Sequence, residues 1–158
     1  MQIWLLRHAQ ARPARANEPD RERPLTESGR ETAVQLGRWL ADRQSTPPDL
    51  ILVSPALRTR QTADAVLSAM NASTPRIEEA LWEALEEDLV GILNAHIELP
   101  GLMLVGHNPG MEWLVQWLSG QRPRLGMQTG TLAVLSADMP PGPGCARITQ
   151  MIHPSDLT

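Results

Sequence analysis

Residues 1–10 read MQIWLLRHAQ, and the junction inside them decides the fold: four apolar residues, Ile3 to Leu6, run without alternation into Arg7 and His8. An unbroken apolar run of this length is the pattern of a strand buried on both faces, as in a parallel sheet covered by helices. Arg7 and His8 then stand at the carboxyl end of that strand, the edge of an open α/β sheet where ligands bind. The pattern returns twice. Leu50-Ile51-Leu52-Val53 closes on Ser54-Pro55, and Leu102 to Val105 ends in Gly106-His107-Asn108-Pro109-Gly110.

Helical stripes separate these runs. Ser28-Gly29-Arg30-Glu31 has the form of a capping box, and Ala33, Leu36, Gly37, Leu40 and Ala41 predict a helix to about residue 43. Ala63, Val66, Leu67 and Met70 mark a second helix, ended by residues 71–75. Leu85, Leu89, Ile92, Leu93, His96 and Ile97 mark a third. A fourth carries Met111, Leu114, Val115 and Leu118, with Asn108 suited to its N-cap and Pro109 to its first position. Arg76 to Leu81 is a candidate short strand. Thr131 to Ala137 and Ala146 to Ile152 read as two more strands around a Pro- and Gly-rich turn at 140–144. Residues 10–27, rich in Arg, Pro, Ala and acids and without periodicity, read as a loop able to reach over the strand ends. Strands alternating with helices predict one α/β domain over residues 1–158, its mostly parallel central sheet flanked by helices.

Composition narrows the function classes. A chain of 158 residues can bury a core without staples, and one cysteine, Cys145, excludes an internal disulfide or a cysteine metal cluster. A net charge of −4 argues against general nucleic-acid or membrane binding, and no apolar stretch approaches a membrane span. With no signal-peptide pattern at the N-terminus, the expectation is a cytoplasmic protein, taken as a monomer. All 14 cations are arginines, whose planar fork matches phosphate oxygens better than an ammonium does.

If the three apolar strands are parallel neighbours, Arg7, His8, Arg58 and His107 converge with a helix N-terminus at one sheet edge. Such a cluster suits a phosphoryl anion, because guanidinium forks neutralise its oxygens and helix N–H groups add donors. It does not suit a metal, because the cations oppose one and no carboxylate or thiolate set accompanies the histidines. His96 reads as partly buried packing, His153 as solvated, Cys145 as a small apolar filler, and Arg60, Arg122 and Arg124 as solvated.

Leu6-Arg7-His8-Ala9 resembles the Arg-His-Gly signature of the histidine phosphatase superfamily, the phosphoglycerate mutase-like proteins, with Ala9 in place of the usual glycine. Ser54-Pro55-Ala56-Leu57-Arg58-Thr59-Arg60-Gln61-Thr62 resembles its second motif and Val105-Gly106-His107-Asn108-Pro109 its third. Arg23-Pro24-Leu25-Thr26-Glu27-Ser28-Gly29 is similar to the segment that follows the first motif. The short interval from Arg58 to His107 most resembles the SixA-type phosphohistidine phosphatases, minimal members without a large cap. Alanine at position 9 adds only a methyl group unless a positive φ is required.

The resemblance implies a three-layer phosphoglycerate mutase-like fold and a cofactor-free reaction. His8 would attack phosphorus to give a transient phosphohistidine that water hydrolyses, kept neutral by the flanking cations. Arg7 and Arg58 would hold the phosphoryl oxygens, and His107 would donate to another, more strongly if protonated. Larger relatives place a general acid between the second and third motifs; Leu81-Trp82-Glu83 is the nearest match. Glu83 is the candidate, with Glu78, Glu79, Glu86 and Glu87 as competitors and a cluster of solvated acids as the alternative. Arg23 is expected as a further substrate contact, against a solvated arginine. The expected substrate is phosphohistidine in a partner protein. The alternatives are a small phosphate ester such as a sugar phosphate or nucleotide, or binding of a phosphorylated partner without turnover.

Overall fold

The computed structural model describes residues 1–43 and 45–157. Its six strands form one sheet, in the order β3-β2-β4-β1-β5-β6. The strands are β1 (Gln2–Arg7), β2 (Leu50–Val53), β3 (Arg76–Ile77), β4 (Gly101–Gly106), β5 (Leu132–Ala137) and β6 (Ala146–Ile152). The first four run parallel, while β5 pairs antiparallel with β1 and β6 antiparallel with β5. The sheet is therefore mixed, with its parallel half on the β3 side. Four helices cover it: α1 (Glu27–Asp42), α2 (Leu57–Leu67), α3 (Glu86–Asn94) and α4 (Gly110–Ser119). Among the described residues no helix is long and apolar enough to cross a membrane.

The absence of alternation in the strands is explained by the two cores they serve. Trp4 and Leu6 of β1 join Ile51, Val53, Met103 and Val105 beneath Leu36 and Leu40 of α1 and Val66 of α2. Ile3 and Leu5 point the other way, joining Leu52, Leu102 and Leu104 beneath Leu89 and Leu93 of α3 and Leu114 and Leu118 of α4. Successive strand residues face opposite sides, so a sheet covered on both faces needs an apolar residue at every position.

Several expectations are corrected. The N-cap of α1 is Thr26, whose hydroxyl accepts from the Gly29 backbone N–H at 2.9 Å; Ser28 lies inside the first turn. The candidate strand 76–81 shortens to two residues, because Glu79–Leu81 turns into a 3-10 helix capped by the Glu78 carboxylate. Helix α3 ends at Asn94, and Leu85 and Ile97, placed on its core stripe by periodicity, are exposed. Pro109 occupies the cap position of α4, and the Asn108 side chain instead accepts from Glu112 N at 3.3 Å. His153 is buried, with Nδ1 3.2 Å from the Thr131 hydroxyl and its backbone N–H on Asp156, where a solvated side chain was expected.

Residues 10–27 fold back on themselves and are anchored. Ala11 bridges Leu25, Thr26 N donates to the Gln10 carbonyl at 2.9 Å, and Leu25 N donates to Gln61 of α2 at 2.9 Å. On the same face α1 and α2 meet through Gly37. A Cβ at that position would lie 2.2 Å from the Val66 carbonyl oxygen, a backbone atom that cannot give way without moving a helix. Gly37→Ala is expected to lower unfolding free energy by about 1–3 kcal/mol, although alanine is the better helix former, measured as the shift in a urea unfolding midpoint. A neutral or stabilising effect would show that the two helices are not held at this separation.

Candidate active site

The strand register sets the site. Arg7 of β1 lies level with Gly106 of β4, and Val105 level with Val53 of β2. The ladder then continues one residue past each strand, with His8 N donating to the Gly106 carbonyl at 3.1 Å and Ser54 N to the Val105 carbonyl at 3.0 Å. Arg7, His8, Ser54 and His107 thus emerge side by side, and the first turn of α2 adds Arg58. The loop before β5 completes the frame. Gly130 N donates to the carbonyls of both Arg7 and His8, from a backbone with φ of 79° that favours glycine.

Arg7, His8, Arg58 and His107 line one cavity of about 670 Å³, together with Asp20, Arg23, Trp82 and Glu83. The rings of His8 and His107 are 5.3 Å apart. His8 Nδ1 lies 2.7 Å from the carbonyl oxygen of Ala9, which can only accept, so Nδ1 carries the proton and Nε2 keeps the lone pair. Burial pushes the His8 pKa down to about 4; the bond to Ala9 opposes this, and Arg58, Arg7 and Arg23 add to the lowering. The cations help keep His8 neutral as expected, but desolvation is the larger cause.

His107 is expected as a donor that protonation would strengthen, and its surroundings set when that proton is held. Burial first, then His8 and Arg58, push its pKa down to about 3. Its Nδ1 lies 3.4 Å from Arg58 Nη2, which can only donate, so the proton sits on Nε2, 2.7 Å from the Ser54 hydroxyl. In the protein as it stands His107 is a neutral ring engaged at both nitrogens. An incoming dianion would raise its pKa and recruit the second proton.

The two arginines are held differently. Arg7 Nη1 donates to the Met127 carbonyl at 2.8 Å, while Arg58 donates from Nη1 to the Asp20 carbonyl at 2.7 Å and from Nη2 to the Asp20 carboxylate at 2.9 Å. The Nε atoms of both are buried without an acceptor among the described residues. Buried N–H groups are rarely left so, since each costs about 1–3 kcal/mol. Both guanidinium groups belong to side chains that line the cavity, and their charge makes it suited to an anion.

Arg23, expected at the substrate, does line the cavity, but its Nε is bound to Asp20 at 2.7 Å and its Nη1 to the Arg12 carbonyl at 2.8 Å. Among the acids weighed from sequence, Glu83 alone lines the cavity; Glu78 caps a turn, Glu79 pairs with Arg21, and Glu86 and Glu87 open α3. Glu83 has φ of 51°, a left-handed backbone that a non-glycine residue adopts at a cost of about 1–3 kcal/mol and that recurs at functional sites.

Sequence reasoning missed Asp20 and understated Trp82, whose ring stands edge-on to His107 at 5.4 Å with the Arg58 guanidinium 5.5 Å from its centroid. Trp82 was visible only as a neighbour of Glu83, and Asp20, in an aperiodic loop, carried no local signal. The Met127 acceptor is a main-chain atom that no side-chain pattern reports. Among the described residues no group of three or more His, Cys, Asp or Glu side chains is placed to hold a metal ion.

The sequence model of the histidine phosphatase superfamily (branch 1) matches residues 3–98. The chain is 29% identical over 145 residues to the phosphohistidine phosphatase SixA of Escherichia coli (strain K12), covering 87% of this chain and 86% of that protein. A crystal structure ascribed to a SixA phosphohistidine phosphatase from Agrobacterium tumefaciens superposes with a TM-score of 0.84 at 33% identity, over 96% of this chain and 97% of the other. The structure of the protein histidine phosphatase SixA complexed with tungstate gives 0.85 at 26% identity, over all of both chains. The alpha-ribazole phosphatase of Shigella flexneri, at 19% identity and a TM-score of 0.72 over 98% of this chain and 97% of its own, shares the fold.

The histidine environments have a measurable consequence for stability. An unfolded histidine titrates near 6.5, whereas His8 and His107 in the folded protein titrate near 4 and 3. Below about pH 6.5 the unfolded chain therefore gains protons that the folded one refuses, and stability falls as pH falls until the folded values are reached. Above pH 7 the pair has no effect. Urea unfolding at pH 7 and pH 5 is expected to differ by up to about 4 kcal/mol through these two residues, and the double variant His8→Asn/His107→Asn to lose most of that difference. An unchanged pH dependence in the variant would place the histidines in solvent.

Proposed function

The chain belongs to the histidine phosphatase superfamily, and from that premise we propose that it hydrolyses phosphohistidine in a partner protein through a covalent phosphohistidine on His8. One observation carries the reading. The proton of His8 is pinned on Nδ1 by the Ala9 carbonyl, and burial keeps the ring neutral, so Nε2 presents a lone pair at neutral pH beside two arginines with unsatisfied Nε donors.

Attack by Nε2 on phosphorus forms the N–P bond as the bond to the leaving atom breaks. Arg7 and Arg58 neutralise the equatorial oxygens as charge spreads over them, and His107 donates from Nδ1 once the dianion has raised its pKa. Water then attacks the phosphorus of phospho-His8, the N–P bond breaks, and Nε2 recovers its lone pair as inorganic phosphate departs. A phosphoramidate leaving group takes its proton readily, because imidazole has a pKa of roughly 6.5 and leaves as a neutral ring. Such a substrate places little demand on an enzymic acid.

Two further observations support a protein substrate. The SixA proteins to which the chain is similar bear the name phosphohistidine phosphatase. Between α2 and β4 the chain carries only β3, a 3-10 turn and α3, with no inserted subdomain that would narrow access to the strand ends. A second reading, a phosphatase of small phosphate esters, is favoured by one observation: Glu83 lines the cavity from a left-handed backbone, where it could protonate an alkoxide. Binding without turnover is disfavoured, since it has no use for a nucleophilic tautomer at His8.

Quenching the reaction in base with labelled phosphoramidate as substrate, chelator present throughout, is expected to leave acid-labile label on the peptide containing His8. His8→Ala should abolish both label and turnover. Label on His107, or turnover by His8→Ala, would overturn the assignment. The two substrate readings separate through Glu83→Gln, assayed at saturating substrate near neutral pH. This change is expected to cut turnover of a phosphate monoester by about 10²-fold and to slow phosphohistidine hydrolysis far less. Equal large losses would show that Glu83 serves the shared hydrolytic step.

A further inference from the structure

The arginine that is to hold the substrate is already held by a carboxylate. Asp20 opens a 3-10 turn, Asp20–Glu22, in the loop that follows the first motif. Its backbone carbonyl accepts from Arg58 Nη1 at 2.7 Å and its Oδ2 from Nη2 at 2.9 Å, while its Oδ1 accepts from Arg23 Nε at 2.7 Å. One residue thus accepts from both Nη atoms of Arg58, while Nε has no acceptor among the described residues. The Arg58 side chain is 6% exposed and that of Asp20 is 53% exposed, so the arginine is the fixed member and the carboxylate the movable one.

The turn is also tied to the opposite wall. Arg21 Nη2 lies 2.9 and 2.7 Å from the two carboxylate oxygens of Glu79, with its guanidinium 5.9 Å from the Trp82 ring centroid. If the carboxylate is displaced from Arg58 it therefore stays close. Burial favours the protonated form of Asp20, but the bonds from Arg23 and Arg58 outweigh it and hold the pKa below the usual carboxylate range. The group is ionised at neutral pH.

Two oxygens directed at two guanidinium groups imitate what a phosphoryl group offers to the same fork. Each Nη carries a second N–H, but a dianion drawn to the same guanidinium would stand against the ionised carboxylate, and like-charge repulsion sets the two in competition for Arg58. Building on the phosphoryl-transfer reading above, we propose that Asp20 is a tethered anion that competes with the phosphoryl group for Arg58 and thereby speeds release of inorganic phosphate at the end of each turnover.

The need is chemical. Product phosphate is a dianion that keeps the contacts that stabilised its transfer, and product release limits many enzymes whose chemistry is fast. Without a competitor, departing phosphate would leave a buried guanidinium without a counter-ion. A carboxylate on a short tether acts at an effective concentration of about millimolar or higher. It offers Arg58 a new partner while phosphate is still leaving, which lowers the barrier to exit.

The test compares wild type with Asp20→Asn, which keeps the shape and removes the charge, and Asp20→Glu, which keeps the charge. Phosphoramidate serves as substrate, inorganic phosphate as product inhibitor and tungstate as the binding probe in calorimetry. Asp20→Asn is expected to lower the inhibition constant of phosphate tenfold or more. Its steady-state kcat should also fall below its single-turnover rate, giving a burst that wild type lacks, while Asp20→Glu stays near wild type. An unchanged or raised inhibition constant in Asp20→Asn would overturn the proposal, showing that the carboxylate orients Arg58 and does not compete for it. Equal tightening in Asp20→Glu would also overturn it, tracing the effect to a loosened turn. Tungstate that binds neither wild type nor variant would overturn the phosphoryl reading itself, whereas equal tungstate affinity in both would remove only the role of Asp20.

Discussion

The pairing of β4 with β1 on one side and β2 on the other sets where Arg7, His8, Ser54 and His107 stand, and the rest of the site is built around them. Adjacent strands lie about 4.8 Å apart, so residues one step beyond three strands in a common register are delivered within reach of one small anion. Because both faces of the sheet are apolar, the usual contrast of an oily and a wet face cannot set that register. The ends set it. A slip of one residue would draw Arg7 or His107 toward the interior, where a guanidinium or a ring without partners is costly, and would strip His8 and Ser54 of their bonds to the Gly106 and Val105 carbonyls. The residues of the site are in this sense also the stops that align the sheet.

Concentrating cations at such an edge raises an electrostatic problem that the structure resolves by several means. The histidines are kept uncharged, mainly by desolvation, so the four side chains carry two positive charges at neutral pH. Asp20 supplies a counter-ion to Arg58, and the Met127 carbonyl a dipole to Arg7. The two Nε donors are left unsatisfied, and the backbone at Glu83 is held in a left-handed state. These local costs are sustained by a core that fills both faces of the sheet, with β1 and β4 almost wholly buried.

The fold was legible because apolar runs without alternation admit few other solutions, and the helix stripes fell where α1, α2, α3 and α4 form. What misled was local chemistry of nearly equal strength. Thr26 and Ser28 are both competent caps, and only the return of the loop onto Gln10 selects Thr26. His153 carries no pattern that announces burial, since its partner Thr131 arrives from a distant strand end. At the site, Arg7, His8, Arg58 and His107 were legible through their position after strands and through motif spacing. Asp20 was not, because a carboxylate in an irregular loop has no periodicity to expose it, and its meaning appears only where the loop crosses α2. That His107 stands neutral before an anion arrives was not legible for a related reason: charge is readable in sequence, whereas desolvation belongs to the assembled site.

Ala9, the departure from the family's usual glycine, has a consequence of a different kind. Its φ is negative and its methyl group is wholly buried in the core beside Trp4 and Leu6, so the folded backbone accommodates alanine without strain. Its N–H accepts no compromise either, donating to the Thr62 hydroxyl at 3.0 Å. Where the folded conformation suits both residues, alanine in place of glycine narrows the range of shapes open to the denatured chain and stabilises the fold by about 0.4–1 kcal/mol. The residue next to the nucleophile thus acts on the disordered ensemble, and offsets some of what the unsatisfied arginines beside it cost.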